Sequence, residues 1–211
     1  RESNSPCSVN SEISIGNNTL ENGKYIVKLN DNGDIASIVD KTLGNKEILK
    51  APVEIGLFNY TGSWDWPAWE MNFDEANKKP DRIPTLVKIE ELENGVARVA
   101  YKVTQKDDRS TFTNIIALTD GGEAVEVYSE IEWQSLQTMA KNVFSFTADN
   151  EKALYDLGLG AIERGNMTKQ LYEVPAQKWA DITDKSGDFG VSVISECKYG
   201  WDKFDNNTLR L

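Results

Sequence analysis

Tryptophans and carboxylates are interspersed in one short stretch of this sequence, between Thr61 and Glu75. The aromatic residues are Trp64, Trp66, Trp69 and Phe73, and the carboxylates are Asp65, Glu70, Asp74 and Glu75. Each large ring carries roughly 150–250 Å² of surface that is stabilised by burial. The stretch is therefore expected to contact the protein's own sheet, a neighbouring domain or the face of a sugar ring.

A catalytic pair of carboxylates is one interpretation of this stretch. Two Asp or Glu side chains about 5–9 Å apart carry out most glycoside hydrolysis, and aromatic rings beside them would suit a sugar. A sequence with 34 acidic residues yields such clusters readily, so packing or stacking by Trp64, Trp66 and Trp69 is the better supported interpretation. Pro67 lacks a backbone N–H, which argues against a central strand at this position.

A second group of polar side chains surrounds the apolar run Val191–Ile194. Its members are Gln177, Lys178, Asp181, Glu196, Lys198 and Tyr199. A strand that delivers a polar loop at its end often presents a binding site. An ordinary hairpin with a polar tip explains the same pattern and is favoured on physical grounds alone. Cys197 lies in this group, but no histidine is available to activate it as a nucleophile.

The composition excludes several kinds of chemistry. The chain has no histidine, which removes the usual general base at neutral pH, the Ser-His-Asp triad and histidine-bound zinc. A net charge of −11 argues against nucleic acid as a partner, and no apolar run is long enough for a membrane span. Because Cys7 and Cys197 lie far apart, a reducing compartment is favoured over a disulfide, and we expect a cytoplasmic location.

Alternation of apolar and polar residues predicts antiparallel strands along most of the chain. The clearest hairpin joins Leu86–Glu93 to Val96–Thr104 across Asn94-Gly95, the strongest short turn signal. Further strands are expected at Lys24–Leu29, Asp34–Asp40, Ala51–Asn59, Ser110–Leu118, Glu123–Trp133, Met139–Thr147 and Lys152–Gly158. No segment shows a sustained helical period, so the predicted class is all-β, with two large antiparallel sheets stacked on each other.

Three expectations concern particular parts of the chain. In Glu123–Trp133 apolar residues, including Val127 and Ile131, alternate with polar ones, so one face of that strand should be buried. The last strand, Thr208–Leu211, breaks off within its pattern and is expected to be unpaired, which suggests a piece of a longer chain. The polar N-terminus predicts a disordered leader or a cloning remnant over residues 1–17.

The sequence at Glu173–Trp201 resembles the C-terminal β-domain of glycoside hydrolase family 38 α-mannosidases of the bacterial and cytosolic kind. The matching motifs are Glu-Val-Pro-Ala-Gln-Lys-Trp-Ala-Asp, Gly-Val-Ser-Val and Cys-Lys-Tyr-Gly. Ala153–Arg164, Leu20–Lys41 and Trp64–Asn72 resemble the preceding strand and turn, the entry hairpin and the Trp-rich loop of that family. The resemblance covers residues 18–211 as one β-sandwich domain, truncated at both ends relative to the full enzyme.

The resemblance implies a galactose mutarotase-like supersandwich and a parent enzyme that hydrolyses α-mannosides. In that family the zinc ion and the aspartate nucleophile belong to an N-terminal β/α barrel. This chain alone is therefore expected to be inactive and to hold no cofactor. Its expected partners are the catalytic barrel of the same polypeptide and a mannose-containing glycan.

The resemblance implies a supporting role for this chain, at the substrate cleft or at a domain contact. The candidate residues are Trp64, Trp66, Trp69, Trp179, Asp181, Lys198 and Tyr199. An apolar patch should be exposed where the barrel docks, in or beside the Trp-rich stretch. The alternative is a free-standing carbohydrate-binding β-sandwich that uses its tryptophans as a stacking platform. A mutarotase or epimerase is disfavoured, since its acid–base pair usually includes histidine.

Overall fold

Eighteen strands and two short helical turns form the part of the chain that the computed structural model describes, residues 10–62, 65–66 and 69–211. The strands are β1 (Ser14–Gly16), β2 (Thr19–Glu21), β3 (Tyr25–Leu29), β4 (Ile35–Asp40), β5 (Lys46–Glu47), β6 (Leu49–Asn59), β7 (Thr85–Asn94), β8 (Arg98–Lys106), β9 (Thr111–Thr119), β10 (Glu126–Glu132), β11 (Thr138–Phe146), β12 (Lys152–Asp156), β13 (Ala161–Gly165), β14 (Val174–Pro175), β15 (Trp179–Thr183), β16 (Gly190–Ile194), β17 (Gly200–Asp205) and β18 (Thr208–Arg210). The helical turns are a 3-10 turn (Lys41–Leu43) and α1 (Phe73–Ala76). No helix in these ranges is long and apolar enough to cross a membrane.

The described strands form three antiparallel sheets. The large sheet has the order β1-β2-β3-β4-β6-β11-β18-β17-β14, with β5 paired to β4. Two four-stranded sheets have the orders β10-β9-β8-β7 and β13-β12-β15-β16. One hydrophobic core joins all three sheets, with Leu209 from the large sheet, Val103 from the first small sheet and Ile182 from the second. The predicted all-β antiparallel sandwich is confirmed.

The hairpin predicted at Asn94-Gly95 is present. β7 ends at Asn94, and the Gly95 amide donates to the Arg98 carbonyl at 3.1 Å, where β8 begins. Val99 and Val103 are buried on one face of β8, as the period of two predicts.

Strand β10 departs from its predicted pattern, because all 7 of its residues are exposed. Val127 and Ile131 lie opposite Ile116 and Phe112 of β9, and both of these partners are buried. β10, however, is an edge strand among the described residues. Pairing with buried residues of β9 is therefore not enough to bury the apolar side chains of this edge strand.

Both ends of the chain also differ from expectation. β18 lies between β11 and β17, so the last strand is paired on both sides and not unpaired. Near the N-terminus, β1 pairs with β2, so the expected leader is not disordered throughout its length. Residues 1–9 of that leader, with Cys7, lie outside the described residues.

Candidate functional site

The Trp-rich segment, residues 61–75, leaves the large sheet after β6 and has its two ends joined by hydrogen bonds. The amide and hydroxyl of Thr61 donate to Glu75 Oε1 at 2.9 and 2.5 Å. Asn72 Nδ2 donates to the Gly62 carbonyl at 2.8 Å. Burial by itself raises the pKa of Glu75, but the hydrogen bonds from Thr61 and Asn72 outweigh it and lower that pKa below its ordinary value. An ionised carboxylate therefore closes the base of the segment.

Arg210 holds the short helix α1 at the end of this segment. Its guanidinium donates to the carbonyls of Ala76 and Lys78, both at 2.8 Å. These carbonyls lie at and just beyond the C-terminus of α1, where a helix leaves acceptors unpaired. The Nε of Arg210 donates to Asp202 Oδ1 at 2.6 Å. A side chain of the large sheet thus fixes the position of the segment's base.

Lys141 and Glu173 extend this contact into a network of charges. Lys141 Nζ lies 2.6 Å from Asp202 Oδ2 and 2.5 Å from Glu173 Oε2. Asp202 and Arg210 are each 1% exposed and Lys141 is 4% exposed. Burial raises the pKa of Glu173 in spite of the neighbouring Lys141 ammonium. Because two cations balance two carboxylates, loss of any one partner would leave a buried charge uncompensated.

The chain that follows α1 lies directly on β6. A Cβ at Gly56 would lie 2.5 Å from Pro80 Cγ, so glycine is required for this approach. Arg82 then forms two hydrogen bonds with Asp107, at 3.0 and 3.1 Å. The Arg82 guanidinium lowers the pKa of Asp107 to about 2. These contacts attach the chain after the Trp-rich segment to both the large sheet and the first small sheet.

The tip of the Trp-rich segment is exposed, in contrast to its base. Trp66 is 59% exposed and Trp69 is 83% exposed, and the neighbouring Asp65 and Glu70 are also exposed. The amides of Trp69 and Glu70 donate to the Trp66 carbonyl at 3.0 Å, which folds the tip into a turn. Trp64 lies outside the described residues. Two exposed indoles are therefore carried on an anchored base.

A shallow depression of about 430 Å³ adjoins the segment. It is lined by Asn72, Phe73, Asp74, Glu75, Lys169 and Tyr172. The rings of Phe73 and Tyr172 meet edge to face with centroids 5.3 Å apart, and the Tyr172 hydroxyl donates to the Met71 carbonyl. Lys169 and Tyr172 are not predicted from the sequence. Tyr172 and Met71 are 101 positions apart, and no local pattern reveals the contact.

Trp179 and Asp181 lie on β15, on the face of its sheet that points away from the core. Their neighbours Ala180 and Ile182 on the same strand are buried, so alternation turns Trp179 and Asp181 outward. Asp181 accepts hydrogen bonds from Thr183 Oγ1 at 2.7 Å and from a serine hydroxyl of β16 at 2.8 Å. Both candidates belong to a sheet face and not to the Trp-rich segment.

Lys198 and Tyr199 lie in the loop that joins β16 to β17. The Lys198 amide donates to Ser195 Oγ at 3.1 Å, and the Ala176 amide donates to the Tyr199 carbonyl at 3.0 Å. The Tyr199 side chain is 53% exposed, and Cys197 between β16 and β17 is exposed with a free thiol. The predicted polar loop at the end of an apolar strand is thus present, and Lys178, directly before β15, donates from Nζ to its Glu196 carbonyl at 2.7 Å.

The sequence of this chain matches a known protein family. Residues 20–211 match the model of the glycosyl hydrolases family 38 C-terminal domain. The chain belongs to this family. Its membership agrees with the resemblance found in the sequence motifs.

Curated relatives of this family 38 domain are longer than the chain. It is 25% identical over 193 residues to human alpha-mannosidase 2C1, a match that covers 88% of this chain and 18% of the relative. It is 26% identical over 208 residues to alpha-mannosidase of Saccharomyces cerevisiae, covering 89% of this chain and 19% of the relative. The chain therefore spans about a fifth of the length of these relatives.

Two solved structures share the fold of this family 38 domain. A glycosyl hydrolase family 38 protein from Enterococcus faecalis superposes with a TM-score of 0.78 at 14% identity, covering 97% of this chain and 27% of that one. An alpha-mannosidase from the same species also gives a TM-score of 0.78, at 13% identity, with 96% of this chain and 26% of that one covered.

The described residues of this family 38 domain offer surfaces for contact. Within them, no group of three or more His, Cys, Asp or Glu side chains is arranged to hold a metal ion. The zinc that the family resemblance implies therefore has no fitting ligand set among the described residues. The exposed indoles, the depression beside the Trp-rich segment and the polar loop are suited to stacking and hydrogen bonding.

Proposed function

We propose that this chain serves as the C-terminal β-sandwich domain of an α-mannosidase, in which it supports the catalytic barrel and shapes the edge of the substrate cleft. The observation that carries the proposal is the contrast within the Trp-rich segment. Its base is fixed by Arg210, whereas Trp66 and Trp69 at its tip remain largely exposed. Large exposed rings held on a rigid base are typical of a surface that contacts another domain.

The chemistry of hydrolysis is assigned in this proposal to another part of the polypeptide. The curated relatives named alpha-mannosidase extend well beyond the matched region. Zinc and the nucleophilic carboxylate would belong to that further region, and no step of the reaction is assigned to a residue of this chain. A cytoplasmic location remains our expectation from the cysteine usage alone.

The second candidate function is a carbohydrate-binding module centred on the Trp-rich segment. The depression beside it favours this role, because it combines the Phe73–Tyr172 ring pair with Asp74 and Lys169. Aromatic surface together with a few convergent polar groups is the usual composition of a small-ligand site. This candidate predicts that the isolated chain binds a mannoside.

Hydrolysis of p-nitrophenyl α-D-mannopyranoside tests the proposed function. We expect the isolated chain to show no turnover, with or without added zinc, and the longer polypeptide that contains it to be active. Deletion of residues 20–211 from that polypeptide should abolish the activity, and replacement of both Trp66 and Trp69 by alanine should lower it. Full activity after the deletion would contradict the supporting role.

A further inference from the structure

The outer face of the second small sheet carries a depression that the proposed function does not use. It is about 380 Å³ in volume and is lined by Leu154, Trp179, Asp181, Ser192 and Ile194. In the cross-strand register, Asp181 lies opposite both Leu154 and Ser192, and Trp179 lies opposite Ile194. Neighbouring strands therefore bring these five side chains together on one face.

We propose that this depression is a binding site for a neutral hexopyranose ring, with Trp179 as the stacking surface and Asp181 as the hydrogen-bond acceptor. The site is separate from the Trp-rich segment. It neither requires nor excludes the supporting role in an α-mannosidase.

Asp181 is held ready to accept hydroxyl groups. One of its oxygens accepts from Thr183 Oγ1 at 2.7 Å, and the other accepts from Ser192 Oγ at 2.8 Å. These bonds fix the orientation of the carboxylate. Because an ionised carboxylate has about four lone-pair sites, each oxygen retains capacity for a hydroxyl of a ligand.

The rest of the depression is apolar and open. Ile194 is 75% exposed and Leu154 is 36% exposed, and Trp179 opposite Ile194 is half-buried. Together they make a surface against which the C–H face of a pyranose ring could lie, while its hydroxyls reach Asp181. Apolar surface with a few placed polar groups gives both affinity and orientation in such sites.

The lining also restricts the charge of the ligand. None of its five side chains is basic, and the chain has a net charge of −11, so anionic ligands are disfavoured. A ligand with a fixed positive charge would pair with Asp181 and with the indole, but such ligands are usually enclosed by several aromatic rings. Trp179 is the one aromatic side chain among the residues that line this depression. A neutral ligand with donor hydroxyls and an apolar face fits better.

Saturation-transfer NMR with the isolated chain tests the proposal, using methyl α-D-mannopyranoside and methyl α-D-glucopyranoside as probes and glucuronate and choline as charged controls. We expect saturable binding of at least one neutral probe with a dissociation constant on the order of 1–10 mM, since an open site covers only part of its ligand. Trp179→Ala and Asp181→Asn should each weaken binding at least tenfold.

Two further variants keep the outcome interpretable. Leu136→Ala changes a side chain that is 71% exposed and lies outside the lining of both depressions, so it should leave the affinity unchanged. Ile194→Glu alters a side chain that is mostly exposed and should weaken binding without unfolding the chain, as thermal melts would verify. Absence of saturable binding, preference for choline, or affinity that survives Trp179→Ala would each overturn the proposal. Loss of binding with Trp69→Ala alone would overturn it too, and would support a sugar site at the Trp-rich segment.

Discussion

The base and the tip of the Trp-rich segment lie only a few residues apart but have opposite environments. At the base, Glu75 is bonded by Thr61, and α1, which contains Glu75, is held at its C-terminus by the buried Arg210. At the tip, Trp66 and Trp69 are exposed. Charged side chains thus hold the base of the segment, whereas the two described indoles at its tip are largely exposed. Stability and function are therefore expected to depend on different parts of this segment.

The largest effect is expected from Arg210→Met, which attacks the base. Removal of the guanidinium leaves Asp202 with only Lys141. It also removes the Arg210 donor from the Lys78 carbonyl and leaves the Ala76 carbonyl with the Lys78 amide alone, at a total cost of about 3–5 kcal/mol of unfolding free energy. Urea denaturation measures this cost. The matched control is Lys152→Met, which breaks an exposed ion pair with Glu163 and should cost less than about 1 kcal/mol. Equal losses for the two variants would refute the anchoring role.

The second prediction concerns the close approach of the chain after α1 to β6. Gly56→Ala places a Cβ within 2.5 Å of Pro80 Cγ and should destabilise the protein by about 1–3 kcal/mol through overpacking. Gly16→Ala is the control, because nothing lies within 4 Å of the Cβ it introduces. Thermal melts of both variants provide the comparison. A Gly56→Ala variant as stable as Gly16→Ala would show that the chain after α1 is not packed tightly against β6.

The regular parts of the fold can be predicted from the sequence, whereas the anchoring contact of Arg210 with the end of α1 cannot. The Asn94-Gly95 hairpin is a local signal, and the all-β class follows from alternation over many strands. The anchor joins Arg210 to Ala76 across 134 positions, and no local rule identifies such a pair. On β18, Arg210 follows the buried Leu209, so strand alternation predicts that its side chain is exposed to solvent. It is buried because a segment distant in sequence covers that face of the large sheet.

For the candidate site, the sequence predicts which residue types take part but not how they are arranged in space. Exposed indoles indicate a contact surface, and Trp66 and Trp69 are both exposed. The sequence does not say that Trp179 and Asp181 lie on a sheet face while Lys198 and Tyr199 lie in a loop, because strand register and loop path depend on pairing across the fold. The apolar residues of β10 illustrate the same point, since alternation does not reveal which strand is an edge.

The third prediction uses acid to test the attachment next to the base. The pKa of Asp107 is about 2 in the folded chain, against an ordinary value of 3.8. Between these values the unfolded chain binds more protons, so stability is lost as pH falls from about 4 to 2. The contribution of Asp107 should be at most about 2.5 kcal/mol. Urea denaturation across this range should show a shallower pH dependence for Asp107→Asn, and an unchanged slope would contradict the assignment.

The smallest effect on stability is expected at the tip. Trp69→Ala removes a ring that is 83% exposed, so the unfolding free energy of the isolated chain should change by less than about 0.5 kcal/mol. Trp201→Ala, which removes a fully buried indole, should cost about 3–5 kcal/mol in the same urea titration. A large loss for Trp69→Ala would mean that the tip belongs to the core of this domain after all.

Hydrogen–deuterium exchange of peptides spanning residues 60–76 tests the central claim most directly, compared between the isolated chain and the longer polypeptide that contains it. If the tip contacts the catalytic region, amides around Trp66 and Trp69 should exchange quickly in the isolated chain and be protected in the longer polypeptide, while amides at the base around Glu75 and Ala76 are protected in both. Equally fast exchange at the tip in both proteins would contradict a domain contact there.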